Sequence, residues 1–185
     1  IRTASGGPWV GKTKKQLADV GIKETLAHPN GSMGANITVD SATMMNKGLE
    51  FLEAMWLFGL TAQQIEVVVH RQSVVHSAVE FVDGSVIAQM GVPDMRVAIQ
   101  YALTHPDRLD TGCERLSLSR YGSLTFEDPD LETFTCLDTC IQAAKKGGLA
   151  ACVANGANEE AVAMFLHEKI GFLDIGLLVQ AAVEN

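Results

Sequence analysis

The spacing of apolar and polar positions changes several times along this chain, and each change predicts an element. Ile1 to Pro8 reads as a short strand that leaves into the loop Ser5-Gly6-Gly7-Pro8. The polar stretch Trp9 to Asn36 predicts one weak helix around Lys14 to Val20, followed by the turn-rich His28-Pro29-Asn30-Gly31. So long an irregular run inside a compact domain marks a lid or binding loop. Asn36 to Val39 reads as a short strand, and a helix is predicted from Asp40 or Ser41 to about Phe58, with Asp40 as its N-cap. The β-branched run from Ile65 to Val69 suits a buried strand. Ser73 to Val82 and Ser85 to Met90 read as paired strands around Asp83-Gly84, the dipeptide typical of a two-residue hairpin. From Arg96 the pattern is irregular, with turns at His105-Pro106-Asp107 and Phe126-Glu127-Asp128-Pro129. Beyond these come three helical patterns: Cys136 to Lys146, Ala157 to Lys169 and Ile175 to Val183. Together these predict an α+β fold, a mixed sheet flanked by helices and then a partial all-helical region.

The sharpest local signal lies in Val39-Asp40-Ser41-Ala42-Thr43-Met44-Met45-Asn46-Lys47-Gly48-Leu49-Glu50. At about 100° per residue, Thr43, Asn46, Lys47, Glu50 and Glu53 fall on one narrow polar stripe. Met45, Leu49, Leu52, Met55 and Trp56 cover much of the rest, which predicts a helix buried nearly all round. Lys47 and Glu50, three apart, suit an ordinary ion pair on a helix surface. The narrowness of the stripe supports another reading, in which a helix N-terminus with Ser41 binds an anion. Asn46 and Lys47 would then hold sugar hydroxyls or phosphate oxygens, and Glu50 would offer a hard oxygen to a divalent cation. One carboxylate does not make a metal site, and no second acidic residue in the chain has an obvious claim.

Composition narrows the partners. With 185 residues, 47% of them hydrophobic and 19% charged, the chain can bury a sizeable core. The net charge of -8, without clustered Lys or Arg, argues against nucleic acid or an anionic membrane as partner. An anionic substrate would need a local lysine, helix end or metal ion. Cys113, Cys136, Cys140 and Cys152 form no CxxC pair, which suits a reducing cytoplasm. Cys136 and Cys140 could share a helix face as ligands, although packing is the simpler role. His70 and His76 flank Arg71-Gln72-Ser73 and read either as structural histidines or as support behind a site. The chain begins at Ile1 and stops inside an apolar-periodic stretch, as expected of a piece of a longer protein.

The motif DSATMMNKGLE, preceded by SGGP and HPNxSMG and followed by HxQSVVHS, DGSVIAQMGVPDMR and NGANEEAV, resembles the 1-deoxy-D-xylulose 5-phosphate reductoisomerase family along essentially the whole chain. The resemblance implies an enzyme of non-mevalonate isoprenoid synthesis. In it a divalent metal (Mn²⁺, Mg²⁺ or Co²⁺) binds the ketose oxygens, the carbon skeleton rearranges, and NADPH reduces the resulting aldehyde to 2-C-methyl-D-erythritol 4-phosphate. By position, Ser5, His28, Ser41, Asn46, Lys47 and Glu50 are similar to the family's substrate contacts, and Glu50 to one of its metal ligands. Met33, Gly34 and Met95 are similar to residues that border the nicotinamide.

The resemblance further implies a cytoplasmic homodimer, paired through the strands after Ile65. It divides the chain into a catalytic domain (1–93), a connection (94–122) and the beginning of a helical domain (123–185). The family's cofactor domain and its other metal ligands lie upstream of the matched region. No GxGxxG fingerprint occurs within these 185 residues, so the chain by itself is expected to be inactive. A phosphosugar-binding or assembly module without catalysis is the alternative. Three positions depart from the pattern: Gly31 replaces a flap tryptophan, Ala35-Asn36 a basic pair, and Arg71 a proline.

Overall fold

The structure is a computed structural model that describes residues 1–27 and 34–185. It is α+β, with a mixed four-stranded sheet and, among the described residues, nine α-helices. The strands are β1 (Arg2–Ala4), β2 (Val67–Val69), β3 (Val75–Glu80) and β4 (Val86–Met90). The helices are α1 (Lys14–Leu17), α2 (Ile22–Thr25), α3 (Ala35–Ala42), α4 (Met45–Phe58), α5 (Met95–Thr104), α6 (Leu118–Tyr121), α7 (Thr135–Lys146), α8 (Ala150–Leu166) and α9 (Phe172–Glu184). Two compact units result, one of residues 1–5 and 68–127, the other of residues 6–67 and 128–185. None of the described helices is long and apolar enough to cross a membrane.

In the first unit the strand order is β2-β1-β3-β4, with β3 antiparallel to both β1 and β4. The predicted hairpin forms, but with three loop residues instead of two. The amide of Phe81 donates to the Ser85 carbonyl at 2.9 Å, and that of Gly84 to the Phe81 carbonyl at 2.9 Å. Gly84 takes φ 81°, the left-handed residue that closes a type I turn of this length. Asp83 caps the loop by accepting from the Ser85 amide and hydroxyl.

His70 has the structural role. It is fully buried and stacked on Phe126, with Nδ1 2.8 Å from the Thr125 carbonyl while Nε2 accepts from the Val74 amide at 3.2 Å. These two bonds require the neutral ring with its proton on Nδ1. Arg71 forks onto Glu127 with both bonds at 3.2 Å, half exposed, a pair of small energetic weight.

The second unit is built around α7. Gly48 of α4 lies so close to it that a Cβ there would sit 2.6 Å from Cys140 Sγ, and one on Gly176 of α9 would sit 2.2 Å from Thr135 Oγ1. The small side chains along α7, Thr135, Cys136, Thr139, Cys140 and Ala143, make both approaches possible. Cys136 and Cys140 are thus packing residues with free thiols, each pushed up to about 12 by burial.

Two expectations for the helix pair α3 and α4 are corrected. Asn36–Val39 is not a strand but the body of α3, since burial of Thr38, Val39 and Ala42 outweighs the β preference of Ile37, Thr38 and Val39. Asp40 is consequently no N-cap. It sits inside α3 with its carboxylate turned into the core, where Asn158 Nδ2 of α8 donates to it at 2.9 Å. Nor is α4 buried all round, because Trp56, Leu57 and Phe58 in its last turn are 76%, 77% and 70% exposed.

Gly48→Ala should lower stability by about 1–3 kcal/mol, because the added methyl has no room against Cys140 and α4 must shift away from α7. The companion change Cys140→Gly should return part of that loss in urea denaturation of the double variant. The second prediction concerns Asp40, whose carboxyl is raised above its usual value first by burial, against the lowering effect of Asn158, with Glu159 raising it further. The folded state therefore holds this proton more tightly than the unfolded chain. Its contribution to stability is full below the ordinary carboxylate range and is lost as pH rises through the raised value. Asp40→Asn should melt higher than the unsubstituted protein at neutral pH, with the difference shrinking as pH falls toward the ordinary carboxylate range.

Candidate functional site

α3 ends at Ala42, and the chain turns through Thr43 and Met44 before α4 begins at Met45. Met44 is left-handed, φ 62° and ψ 13°, a conformation that costs about 1–3 kcal/mol outside glycine and persists where the surroundings dictate it. Its side chain is 2% exposed, so burial holds the turn. Thr43 stitches it from within: its hydroxyl donates to the Asp40 carbonyl at 3.3 Å and accepts from the Met45 amide at 3.3 Å.

Ser41 lies in the last turn of α3, not at a helix N-terminus as the sequence suggested. The partial charge of a helix end there is negative, so the anion-binding reading loses its dipole argument at Ser41. The break between α3 and α4 was hidden from sequence because Ser41 to Leu49 contains no proline and its one glycine, Gly48, lies inside α4.

From the first turn of α4 the expected stripe projects as a cluster. Asn46 Nδ2 donates to Glu50 Oε1 at 2.9 Å and Lys47 Nζ to Glu50 Oε2 at 2.6 Å. The Lys47 and Glu50 side chains are only 13% and 25% exposed. The ion pair that the spacing allowed is therefore real, though more sheltered than an ordinary surface pair, and each carboxylate oxygen of Glu50 has a donor. Glu53, the stripe's last member, is exposed. Among the described residues no group of three His, Cys, Asp or Glu side chains gathers to hold a metal, so Glu50 fits as one oxygen donor and not as a site.

Gly7 explains part of the Ser-Gly-Gly loop. It takes φ 62°, and a Cβ would lie 2.7 Å from the Ser41 carbonyl oxygen, so the loop lies directly on the backbone that carries Ser41. That is a packing role for this glycine. Gly34 is the residue before α3, and its carbonyl accepts from the Thr38 hydroxyl at 2.8 Å.

Ser5 and Met95 belong to the sheet-bearing unit: Ser5 comes just after β1, and Met95 opens α5 with its side chain 70% exposed. Beside Met95, Asp94 caps α5, and hydrogen bonds from Arg96 hold its carboxyl well below the usual range. His28 and Met33, and Gly31 with them, lie outside the described residues.

One residue near this site escaped the sequence reading. Asn158 is 1% exposed and holds Asp40, the neighbour of Ser41, yet it received no role. The predicted helix began at Ala157, leaving Asn158 in a solvated first turn, whereas α8 begins two turns earlier at Ala150. The signal was an asparagine at the spacing of Ala154, Ala161, Val162 and Phe165, a polar side chain on an apolar face that must find a partner.

Comparison with known proteins finds relatives along the whole chain. Residues 90–185 match the DXP reductoisomerase C-terminal domain and residues 1–58 the 1-deoxy-D-xylulose 5-phosphate reductoisomerase C-terminal domain. The 1-deoxy-D-xylulose 5-phosphate reductoisomerase of Acetivibrio thermocellus is 56% identical over 180 residues, covering 97% of this chain and 47% of the relative. That of Caldanaerobacter subterraneus subsp. tengcongensis is 55% identical over 186 residues, covering 100% and 49%.

A crystal structure of DOX-P reductoisomerase in complex with NADPH, fosmidomycin and magnesium superposes with a TM-score of 0.94 at 51% identity, covering 100% of this chain and 45% of that one. The Zymomonas mobilis reductoisomerase in complex with NADPH gives a TM-score of 0.92 at 44% identity, covering 100% and 47%. The chain spans about half the length of the curated relatives it matches. On the match of residues 90–185, more than half of its length, the chain belongs to the 1-deoxy-D-xylulose 5-phosphate reductoisomerase family.

Proposed function

We propose that this chain forms the substrate- and metal-binding part of an enzyme that converts 1-deoxy-D-xylulose 5-phosphate to 2-C-methyl-D-erythritol 4-phosphate with NADPH. The observation that carries the reading is the sheltered cluster of Asn46, Lys47 and Glu50 on the first turns of α4. In a chain of net charge -8, Lys47 supplies the local positive charge that a phosphosugar requires. Asn46 and Ser41 offer neutral hydrogen bonds to its oxygens, with Ser5 and His28 as further contacts. Gly34, Met33 and Met95 border the nicotinamide, and Glu50 is one of the oxygen ligands of a divalent cation (Mn²⁺, Mg²⁺ or Co²⁺). The metal, when bound, supplies Lewis-acid polarisation of the substrate oxygens. The division at residues 93 and 122 into catalytic domain, connection and helical region belongs to the same reading.

The enzyme is proposed to be a cytoplasmic homodimer that pairs through the sheet. Supporting this, β4 is an edge strand with Val86 and Ile87 53% and 66% exposed, and an unpaired apolar edge calls for a partner.

In the full-length enzyme, Lys47→Ala should raise the KM for substrate about tenfold to a hundredfold, the worth of a hydrogen bond from a charged donor, while the melting temperature moves little. Glu50→Gln should fold, bind NADPH and lose most of kcat with a raised metal requirement, since an amide is a poor ligand for a hard cation. Unchanged KM and metal dependence, with lowered melting temperatures, would reduce the cluster to an ion pair. Residues 1–185 alone should not oxidise NADPH in the presence of substrate and Mg²⁺ or Mn²⁺, monitored by absorbance against a protein-free control.

A further inference from the structure

We propose that Asp40 and Asn158 are positioning residues that set the place of the substrate-binding turn, acting through Ser41 and the start of α4; the inference rests on the function proposed above. The hydrogen bond from Asn158 Nδ2 to Asp40 Oδ1, 2.9 Å long, joins residues 118 apart in sequence. One end lies in the middle of α8 and the other in the last turn of α3, adjacent to Ser41. The pair sits in the apolar core of its unit, with Asp40 8% and Asn158 1% exposed, and Asn158 Oδ1 has no partner among the described residues.

On stability grounds this is a poor use of a core position. A buried carboxylate with a single side-chain donor gains less than two well-packed apolar side chains would, and an unpartnered amide oxygen adds to the deficit. A bond that does not serve stability still has direction and length, which apolar packing lacks. Here it fixes where α3 ends.

The turn and the α4 cluster both depend on that end point. Two residues after Ser41 the chain enters the turn at Thr43 and Met44, where the Thr43 hydroxyl bonds back to the Asp40 carbonyl and forward to the Met45 amide. Two further residues bring it to Asn46, Lys47 and Glu50. A small rotation of α3 about its axis would therefore move Ser41 directly and the α4 cluster through the turn. Among the described residues, Glu159 on α8, Cys136 and Cys140 on α7, and Asp40 itself are the titratable groups gathered around the bond. None of them supplies a positive charge, so Asn158 is the group among these that holds the carboxylate in place.

The test uses two variants of the full-length enzyme, with KM and kcat for substrate measured beside thermal melting. The double variant Asp40→Leu/Asn158→Leu replaces the bond by apolar contact of similar size. It should keep or raise the melting temperature, yet raise the KM at least tenfold, with a smaller change in kcat. Asp40→Asn preserves the geometry, since two amides can pair reciprocally, and should keep KM within about twofold of the unsubstituted enzyme.

A double variant with unchanged KM overturns the proposal. So does a double variant that fails to fold by circular dichroism, because the bond would then be a requirement of the fold. A tenfold or larger KM increase in Asp40→Asn overturns it as well, since the charge and not the placement would matter. Lys47→Ala separates this inference from the reading beneath it: if Lys47→Ala raises KM and the double leucine variant does not, only the positioning role fails.

Discussion

The contact on which the helical unit depends is the approach of α4 to α7 through Gly48. A glycine inside a helix gives up about 1 kcal/mol of helix preference relative to alanine, so its place there needs a reason, and the reason is the Cys140 side chain lying where a Cβ would go. Once Gly48, Met45 and Leu52 face α7, the 3.6-residue period leaves Asn46, Lys47 and Glu50 on the opposite side of α4. The polar cluster is thus placed by the packing of its neighbours. Gly176 of α9 repeats the device on α7 against Thr135, which makes α7 the shared support of two helices.

The second constraint is the break between α3 and α4. Each helix packs against a different partner, α3 on α8 and α4 on α7 as well as α8, and an unbroken helix from Ala35 to Phe58 would have to satisfy both with one straight axis. Met44 absorbs the change of direction in a left-handed conformation, its side chain sealed in the core, while Thr43 bonds on either side of the turn. Ser41 and the α4 cluster sit on opposite sides of this strained turn. That is where backbone strain is usually stored in proteins that must hold a ligand in fixed geometry.

How much of this was legible in the sequence depended on whether local preference and tertiary packing agreed. At α7 and α9 the apolar period and the flanking glycines point the same way, and the expected helices appear within a few residues. The polar stripe of α4 was also readable, because a helix that is apolar on most of its face leaves little freedom in where its polar side chains gather. The expected burial failed only in the last turn, at Trp56 to Phe58, where periodicity carries no information about whether a partner exists. Asn36–Val39 was misread because Ile37, Thr38 and Val39 favour strands, and only the tertiary packing of α3, against α4 and α8 among others, reverses that preference. The first two turns of α8 were missed because Asn155 and Gly156 look like a loop. With them went the burial of Asn158, and so the partner of Asp40.

The cluster on α4 also raises a question of charge that its geometry answers. Lys47 and Glu50 are sheltered, so each gains from a counter-charge held close by. Paired as they stand, they neutralise each other, and Asn46 occupies the remaining oxygen of Glu50. The proposed function asks the pair to separate, with Glu50 turning to a cation and Lys47 to an anion. Each then exchanges one counter-charge for another of the same sign, so the separation leaves neither buried and alone. The ordinary ion pair and the ligand site are on this view two uses of one electrostatic balance, and the shelter that makes the pair unusual for a helix surface is what would make the exchange selective for a doubly charged phosphate together with a divalent ion.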